Sequence, residues 1–302
     1  MSREGDFIAR LAAFATHPAA RGLKDDAAVL ALGDRDVVLT HDMIVEGVHY
    51  LPDDPPEDVA WKLVAVNLSD LAAKGARPLG VLLGFPLGDA AWDAAFADGL
   101  EAVLARFGVP LLGGDTVSST GPRTLGLTAL GETRPGQAPT RSGAKRGDTL
   151  YVTGSIGAAG LGLAVAQGRR ADAHGWLAAY RRPVPRLAEG QALAPRVHAM
   201  ADVSDGLLID AQRMARASGI GIAIDLEMVP LAAGAVDRMA ALTAGDDYEL
   251  LFAGPPGLAL TQAGSVAVTT IGRCAAGDGL SLFDRGTAVP LPAALGYEHG
   301  KA

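Results

Sequence analysis

A single cysteine, Cys274, is the only thiol in 302 residues, so neither an internal disulfide nor a cysteine-built zinc cluster can form. A basic excess is missing as well: the formal charge is −8, which argues against nucleic acid as the main partner. Phosphate ligands stay open, because bound Mg²⁺ would reverse the local sign. No run approaches the roughly 18 apolar residues of a membrane span, and MSREGDFIAR is not a basic segment followed by an apolar one. No membrane partner is therefore expected, and the expected compartment is the cytoplasm. No GxxxxGK[ST] loop, protein-kinase motif set or zincin histidine pair occurs. Gly154, Gly157 and Gly160 have the wrong spacing for a dinucleotide fingerprint and read as tight turns and helix packing.

What is present suits a globular chain of two domains. Hydrophobic residues make up 49% and charged residues 20%, enough for a sizeable core. Asp58 to Pro78 reads as a helix, opened by Pro55, Pro56 and acid at its positive end, and closed by Gly75. Val64, Leu68 and Leu71 form one stripe, with Asn67 and Asp70 close beside it. A short amphipathic helix is expected over 5–20, with Phe7, Ile8, Leu11 and Phe14 on one side. Ala27–Leu32 and Asp36–Thr40 read as a hairpin, which sets Asp25 and Asp26 at the same sheet edge as Asp42. Strands are expected at Leu79–Phe85, at Val109–Leu112 (short and buried) and at Leu125–Leu130, with a helix at Ala90–Phe107.

The Pro- and Gly-rich segment Glu132–Asp148 marks the boundary, giving domains 1–135 and 136–302. Its basic residues, Arg134, Arg141, Lys145 and Arg146, read by themselves as a solvated linker face. Strands follow at Leu150–Thr153, His198–Val203, Ile220–Asp225, Leu250–Ala253, Thr269–Cys274 and Leu280–Phe283. Helices are expected around Trp176–Arg181, Arg186–Ala194 and Leu207–Ser218. The hairpin argues for α+β with mixed sheets rather than a parallel doubly wound sheet.

Acids gather at strand ends and turns: Asp25, Asp26, Asp42, Asp70, Asp115, Asp202, Asp205 and Asp246. Any one of them reads equally well as a turn-forming or capping residue. Together they suit Mg²⁺, a hard cation that takes carboxylates, waters and substrate phosphates.

Seven segments, in order, carry a family resemblance: DDAAV from Asp25, DMIVEGVH from Asp42, NLSDLAA from Asn67, GGDT from Gly113, TRSGA from Thr140, DVSDG from Asp202 and DDYEL from Asp246. They resemble the thiamine-monophosphate kinases. The resemblance runs nearly the full chain, to Gly296 and Tyr297. It implies an aminoimidazole ribonucleotide synthetase-like fold: two α+β domains, mixed sheets with helices on one face, and N-terminal domains paired in a homodimer. It also implies transfer of the ATP γ-phosphoryl group to thiamine monophosphate, the last step of thiamine diphosphate biosynthesis. Several Mg²⁺ ions would be held by Asp26, Asp42, Asp70, Asp115, Asp202 and Asp205, with oxygens of Thr40 and His41. Gly114, Asp115, Arg141 and Ser204 would contact ATP; His49, Asp246 and Tyr297 would contact thiamine monophosphate.

Three residues depart from the family pattern. Lys24 replaces a Gly and is available to pair with Asp25, His41 replaces a Thr, and Asp246 replaces a longer Glu. Selenophosphate synthetases need a reactive Cys or selenocysteine near the N-terminus, and Cys274 is not there. Aminoimidazole ribonucleotide synthetases lack the combination VEGVH, NLSDLAA and DYELLF. An idle nucleotide binder would have lost metal aspartates, and all the expected ones are present.

Overall fold

A computed structural model describes residues 3–258 and 260–299. The first half runs α1 (Arg3–Ala12), β1 (Ala28–Leu32), β2 (Arg35–Val45), α2 (Pro56–Ala73), β3 (Arg77–Leu87), α3 (Ala90–Phe107), β4 (Leu111–Ser118) and β5 (Thr124–Thr133). The second half opens with β6 (Thr149–Thr153), α4 (Ala158–Ala166), α5 (Trp176–Arg181), α6 (Leu187–Leu193), β7 (Ala199–Asp202) and α7 (Leu207–Ser218). It closes with β8 (Gly221–Asp225), α8 (Arg238–Thr243), β9 (Leu250–Gly254), β10 (Gln262–Ala263), β11 (Val266–Ala275), β12 (Gly279–Asp284) and β13 (Thr287–Val289). Among the described residues no helix is long and apolar enough to cross a membrane.

Each half builds one mixed sheet. The first has the order β1-β2-β5-β3-β4, with only β3 and β4 parallel. The second has the order β13-β12-β8-β11-β6-β9-β7, with β10 paired to β11 and β12 parallel to β8. Helices α2 and α3 cover one face of the first sheet; its other face leaves Met43, Leu82 and Leu112 exposed. Both faces of the second sheet are covered. Leu150, Val152 and Leu251 face α7, whereas Tyr151, Met200 and Phe252 face α6 and the end of α2.

That second contact changes the reading of α2. One apolar stripe is expected, but α2 is buried all round, with only Trp61 of its last fifteen residues partly exposed. Its middle packs on the first sheet and its C-terminal turn on the second, so the two halves share it.

The hairpin is present, but β2 does not stop at Thr40; it continues through His41 and Asp42 to Val45, paired with β5 throughout. Strand β4 is exposed along its whole length, and Gly113 to Thr116 belong to it rather than to a loop after it. An outer strand with an uncovered face keeps apolar residues exposed whatever their hydropathy. The opening helix stops at Ala12, short of the expected 20, and Phe7 and Phe14 stay exposed. Helix α4 starts at Gly157 (φ +96°) inside the glycine-rich run, and Asp247 accepts from the amides of Gly157 and Ala159 at its first turn.

Gly190 of α6 fits against α2 because it lacks a side chain: a Cβ there would lie 2.0 Å from the carbonyl oxygen of Ala72. Gly190→Ala forces the helices apart and should cost about 2 kcal/mol or more, read as a lower urea midpoint.

Candidate active site

Asp26, Asp70 and Asp202 approach one another at the point where both halves meet α2, with ligand oxygens all within 4.8 Å. Asp26 leads into β1, Asp70 lies on α2, and Asp202 ends β7. Thr40 donates its hydroxyl to Asp70 Oδ2, and Ser69 donates to Asp202 Oδ2 at 2.6 Å. Neither Asp70 nor Asp202 is in an ion pair among the described residues. Burial, reinforced by neighbouring acids, pushes both carboxyls well above the usual carboxylate range. The donors are all hard oxygens, and two lack a counter-charge, so the set fits a hard divalent cation such as Mg²⁺.

Asp26 is different. Burial would raise it, but Arg141 and Lys74 outweigh burial and hold it below the usual range. Asp25 pairs with Arg21 and Lys74, not with Lys24, which is exposed. The nearer cations have taken its carboxylate.

Asp42 continues this cluster outward. Its amide is held by Asn67 Oδ1 at 2.9 Å, and Asn67 donates to the Leu63 carbonyl on the same helix. Burial raises the Asp42 carboxyl to about 6. Ser204 and Asp205 form the turn before α7, where both amides donate to Asp210 Oδ2 at 3.1 Å. Arg213 bridges Asp205 and Asp210 at 2.5 and 2.8 Å.

Asp42, His49, Ser204, Asp205, Asp246 and Tyr297 line one cavity of about 400 Å³, to which His299 and Glu4 also contribute. The Val45 amide donates to His49 Nδ1 at 3.0 Å, so the ring proton sits on Nε2. Burial, then His299, lowers the His49 pKa. Asp246 has a left-handed backbone (φ +69°) and receives Lys62 Nζ at 2.7 Å and the Tyr248 hydroxyl at 3.1 Å. The Tyr297 ring meets His299 edge-on at 4.9 Å, and His299 lies 5.3 Å from His49.

Residues 24–133 match the family model "AIR synthase related protein, N-terminal domain" and residues 145–285 its C-terminal counterpart. A thiamine-monophosphate kinase of Caulobacter vibrioides is 42% identical, over 98% of this chain and 91% of its own. The chain belongs to the thiamine-monophosphate kinase family. It is thus an enzyme with two AIR synthase-type domains. A solved structure described as AaThiL complexed with AMPPCP and TMP is 27% identical at a TM-score of 0.85, covering 98% of this chain and 97% of that one. The thiamine-monophosphate kinase of Stenotrophomonas maltophilia K279a is 35% identical at a TM-score of 0.77, with 94% and 96% covered.

Not every residue that the kinase resemblance selects meets the others within one chain. Gly114 and Asp115 lie on exposed β4, three strands from β2, or about 14 Å at ordinary strand spacing. The His41 ring is exposed on the opposite strand face from Thr40 and binds Thr128 Oγ1 at 2.9 Å, leaving only its backbone toward the acids. Arg141 is spent on Asp26, although its Nε is buried without a hydrogen-bond partner. Sequence reasoning missed Lys62, Lys74, Ser69, Asp210 and Arg213. Ser69 lies inside the NLSD motif and Asp210 five residues beyond Asp205, so both were within reach.

The folded chain holds the Asp70 proton more tightly than the unfolded chain does. The contribution of Asp70 to stability is therefore greatest below the ordinary carboxylate range and is lost as pH rises above it. Asp70→Asn removes that loss. Without metal, the variant should melt above wild type at pH 8 by about 3 °C or more, and the gap should close toward pH 4 in a calorimetric series.

Proposed function

We propose that this enzyme transfers the γ-phosphoryl group of ATP to thiamine monophosphate in line, giving thiamine diphosphate and ADP with Mg²⁺ bound. The observation that carries the reading is one shared strand: Asp42 of β2 lines the 400 Å³ cavity, and Thr40, two residues before it on the same strand, donates its hydroxyl to Asp70 of the carboxylate cluster. A site for cation-bound phosphates thus adjoins a pocket of rings and carboxylates. The rings of His49, Tyr297 and His299, with Asp205, Asp246 and Glu4, suit a cationic aromatic ligand such as thiazolium.

Bound Mg²⁺ would neutralise the two phosphate partners and steady the charge that builds during transfer. Asp26, Asp42, Asp70, Asp202 and Asp205 would hold it, with Thr40 Oγ1 and the His41 carbonyl nearby. Ser204 and Arg141 would meet ATP; His49 Nε2–H, Asp246 and Tyr297 would meet the thiamine moiety. No side chain has to remove a proton, because the acceptor phosphate, with a second pKa near 6, is already ionised at neutral pH. The chain's part is positioning: Asn67 fixes the Asp42 backbone, and Asp210 fixes the Ser204–Asp205 turn.

The same reading includes a homodimer and a cytoplasmic enzyme divided near residue 135. The open sheet face, with Met43, Leu82 and Leu112 exposed, supports pairing of N-terminal domains. Pairing there would also give Gly114 and Asp115 a site to join, in the second copy.

Chromatography of a reaction with ATP, Mg²⁺ and thiamine monophosphate should yield thiamine diphosphate one-for-one with ADP. Asp42→Asn should lower kcat by about 100-fold or more. ATP binding without product from this acceptor, with free thiamine as control, sinks the reading. Mixing inactive Asp115→Asn with inactive Asp42→Asn should restore about a quarter of wild-type activity if Asp115 serves the other subunit; no recovery after subunit exchange would return Asp115 to its own chain.

A further inference from the structure

Lys74 caps α2 and is wholly buried, with 0% of its surface exposed. Its Nζ lies among oxygens alone: Asp25 Oδ1, Asp26 Oδ2 at 2.7 Å, the Met200 carbonyl at 3.2 Å and the Pro139 carbonyl at 3.4 Å. Carboxylates and carbonyls with no other donor type are also the surroundings of a hard metal cation. The ammonium donates its three hydrogens to Asp25 Oδ1 and the two carbonyls and meets Asp26 Oδ2 through charge alone.

Positive charge is unevenly spread through the acidic cluster. Arg21, Lys74 and Arg141 all bind Asp25 or Asp26. Among the described ion pairs none reaches Asp42, Asp70 or Asp202. One half of the cluster is therefore neutralised by the chain itself, and the other depends on something from solution. Asp26 joins the two: its Oδ1 is bound by Arg141 and its Oδ2 touches Lys74 without an aligned hydrogen bond, while the same carboxylate offers an oxygen within 4.8 Å of those of Asp70 and Asp202.

We infer that Lys74 is a built-in cation of the active site, occupying beside Asp25 and Asp26 a position that a divalent ion would otherwise fill. The inference rests on the Mg²⁺ reading above and goes beyond it: the chain has replaced part of its metal requirement with a covalently tethered charge. Lys74 acts as a positioning residue, because its ammonium holds Asp26, which in turn borders Asp70 and Asp202. Its hold on the Met200 carbonyl also ties the end of α2 to β7, just before Asp202.

The test counts metal. The full chain, saturated with AMPPCP, is titrated with Mn²⁺, and free Mn²⁺ is read by electron paramagnetic resonance. Lys74→Met keeps the shape and removes the charge; Arg21 still pairs with Asp25 and Arg141 with Asp26 Oδ1, but Asp26 Oδ2 and the Pro139 and Met200 carbonyls are left facing a pocket with no cation. The variant should bind about one Mn²⁺ more per chain than wild type, whereas Lys74→Arg should keep the wild-type number. Equal counts in wild type and Lys74→Met overturn the inference and leave Lys74 as a structural counter-ion. Failure of every form to bind Mn²⁺ sinks the metal reading itself, a different result from equal counts. Should Lys74→Met not fold, ¹⁵N spectra of lysine-labelled wild type decide the matter. The buried Lys74 ammonium signal should persist, slow to exchange, in saturating Mg²⁺ and AMPPCP; its release into solvent on metal binding would show that the ion displaces it.

Discussion

Like charges buried together are the constraint on which this molecule turns. Asp26, Asp70 and Asp202 sit almost without solvent, and their oxygens are close enough to repel strongly. An apolar core could not hold them that way. Helix α2 makes the arrangement tolerable by supplying Asn67, Ser69 and Lys74 from one buried element wedged between both sheets. The architecture follows from that: two halves closing over one polar helix, with the acidic cluster where all three meet.

The fold was largely readable because its periodicities are strong. The bounds Ala90–Phe107 and Leu207–Ser218 agree with the structure to the residue, since Asp89 and the Gly108 and Gly219 ends punctuate them clearly. Helix α2 misled in two respects: it ends at Ala73 rather than running toward Pro78, because Gly75 breaks it and β3 opens at Arg77, and it has a second partner. A stripe at Val64, Leu68 and Leu71 implies a single partner, and nothing local to that helix announces a second sheet beyond it. Strand β4 misled for the same reason in reverse, because apolar residues there suggest burial while the covering layer is absent.

Much of the site was legible from acids at strand ends, which have few purposes in such number. The cations that organise them were not. Lys62 lies within α2 and Lys74 caps it, each flanked by apolar neighbours, and a lysine in that setting ordinarily reads as a stem covering apolar surface with its head in water. Only the fold reveals that both heads turn inward, one to Asp246 and the other to Asp25 and Asp26. Lys24 made the opposite impression: adjacent to Asp25 in sequence, it plays no part in holding that carboxylate.

How an acidic protein accepts two phosphate-bearing substrates then becomes a matter of where its charges lie rather than their sum. Among the described residues, the chain neutralises Asp25 and Asp26 internally and leaves Asp42, Asp70 and Asp202 without an ion-pair partner. Unsatisfied carboxylates attract cations, and cations attract phosphates. On the proposed Mg²⁺ reading, the more of the cluster the protein neutralises for itself, the fewer ions it must collect, and the more firmly Asp26 is fixed before any arrive. Full self-neutralisation would leave no pull on metal at all. The division seen here, with side-chain cations at one end and open carboxylates at the other, keeps the site both ordered in advance and receptive.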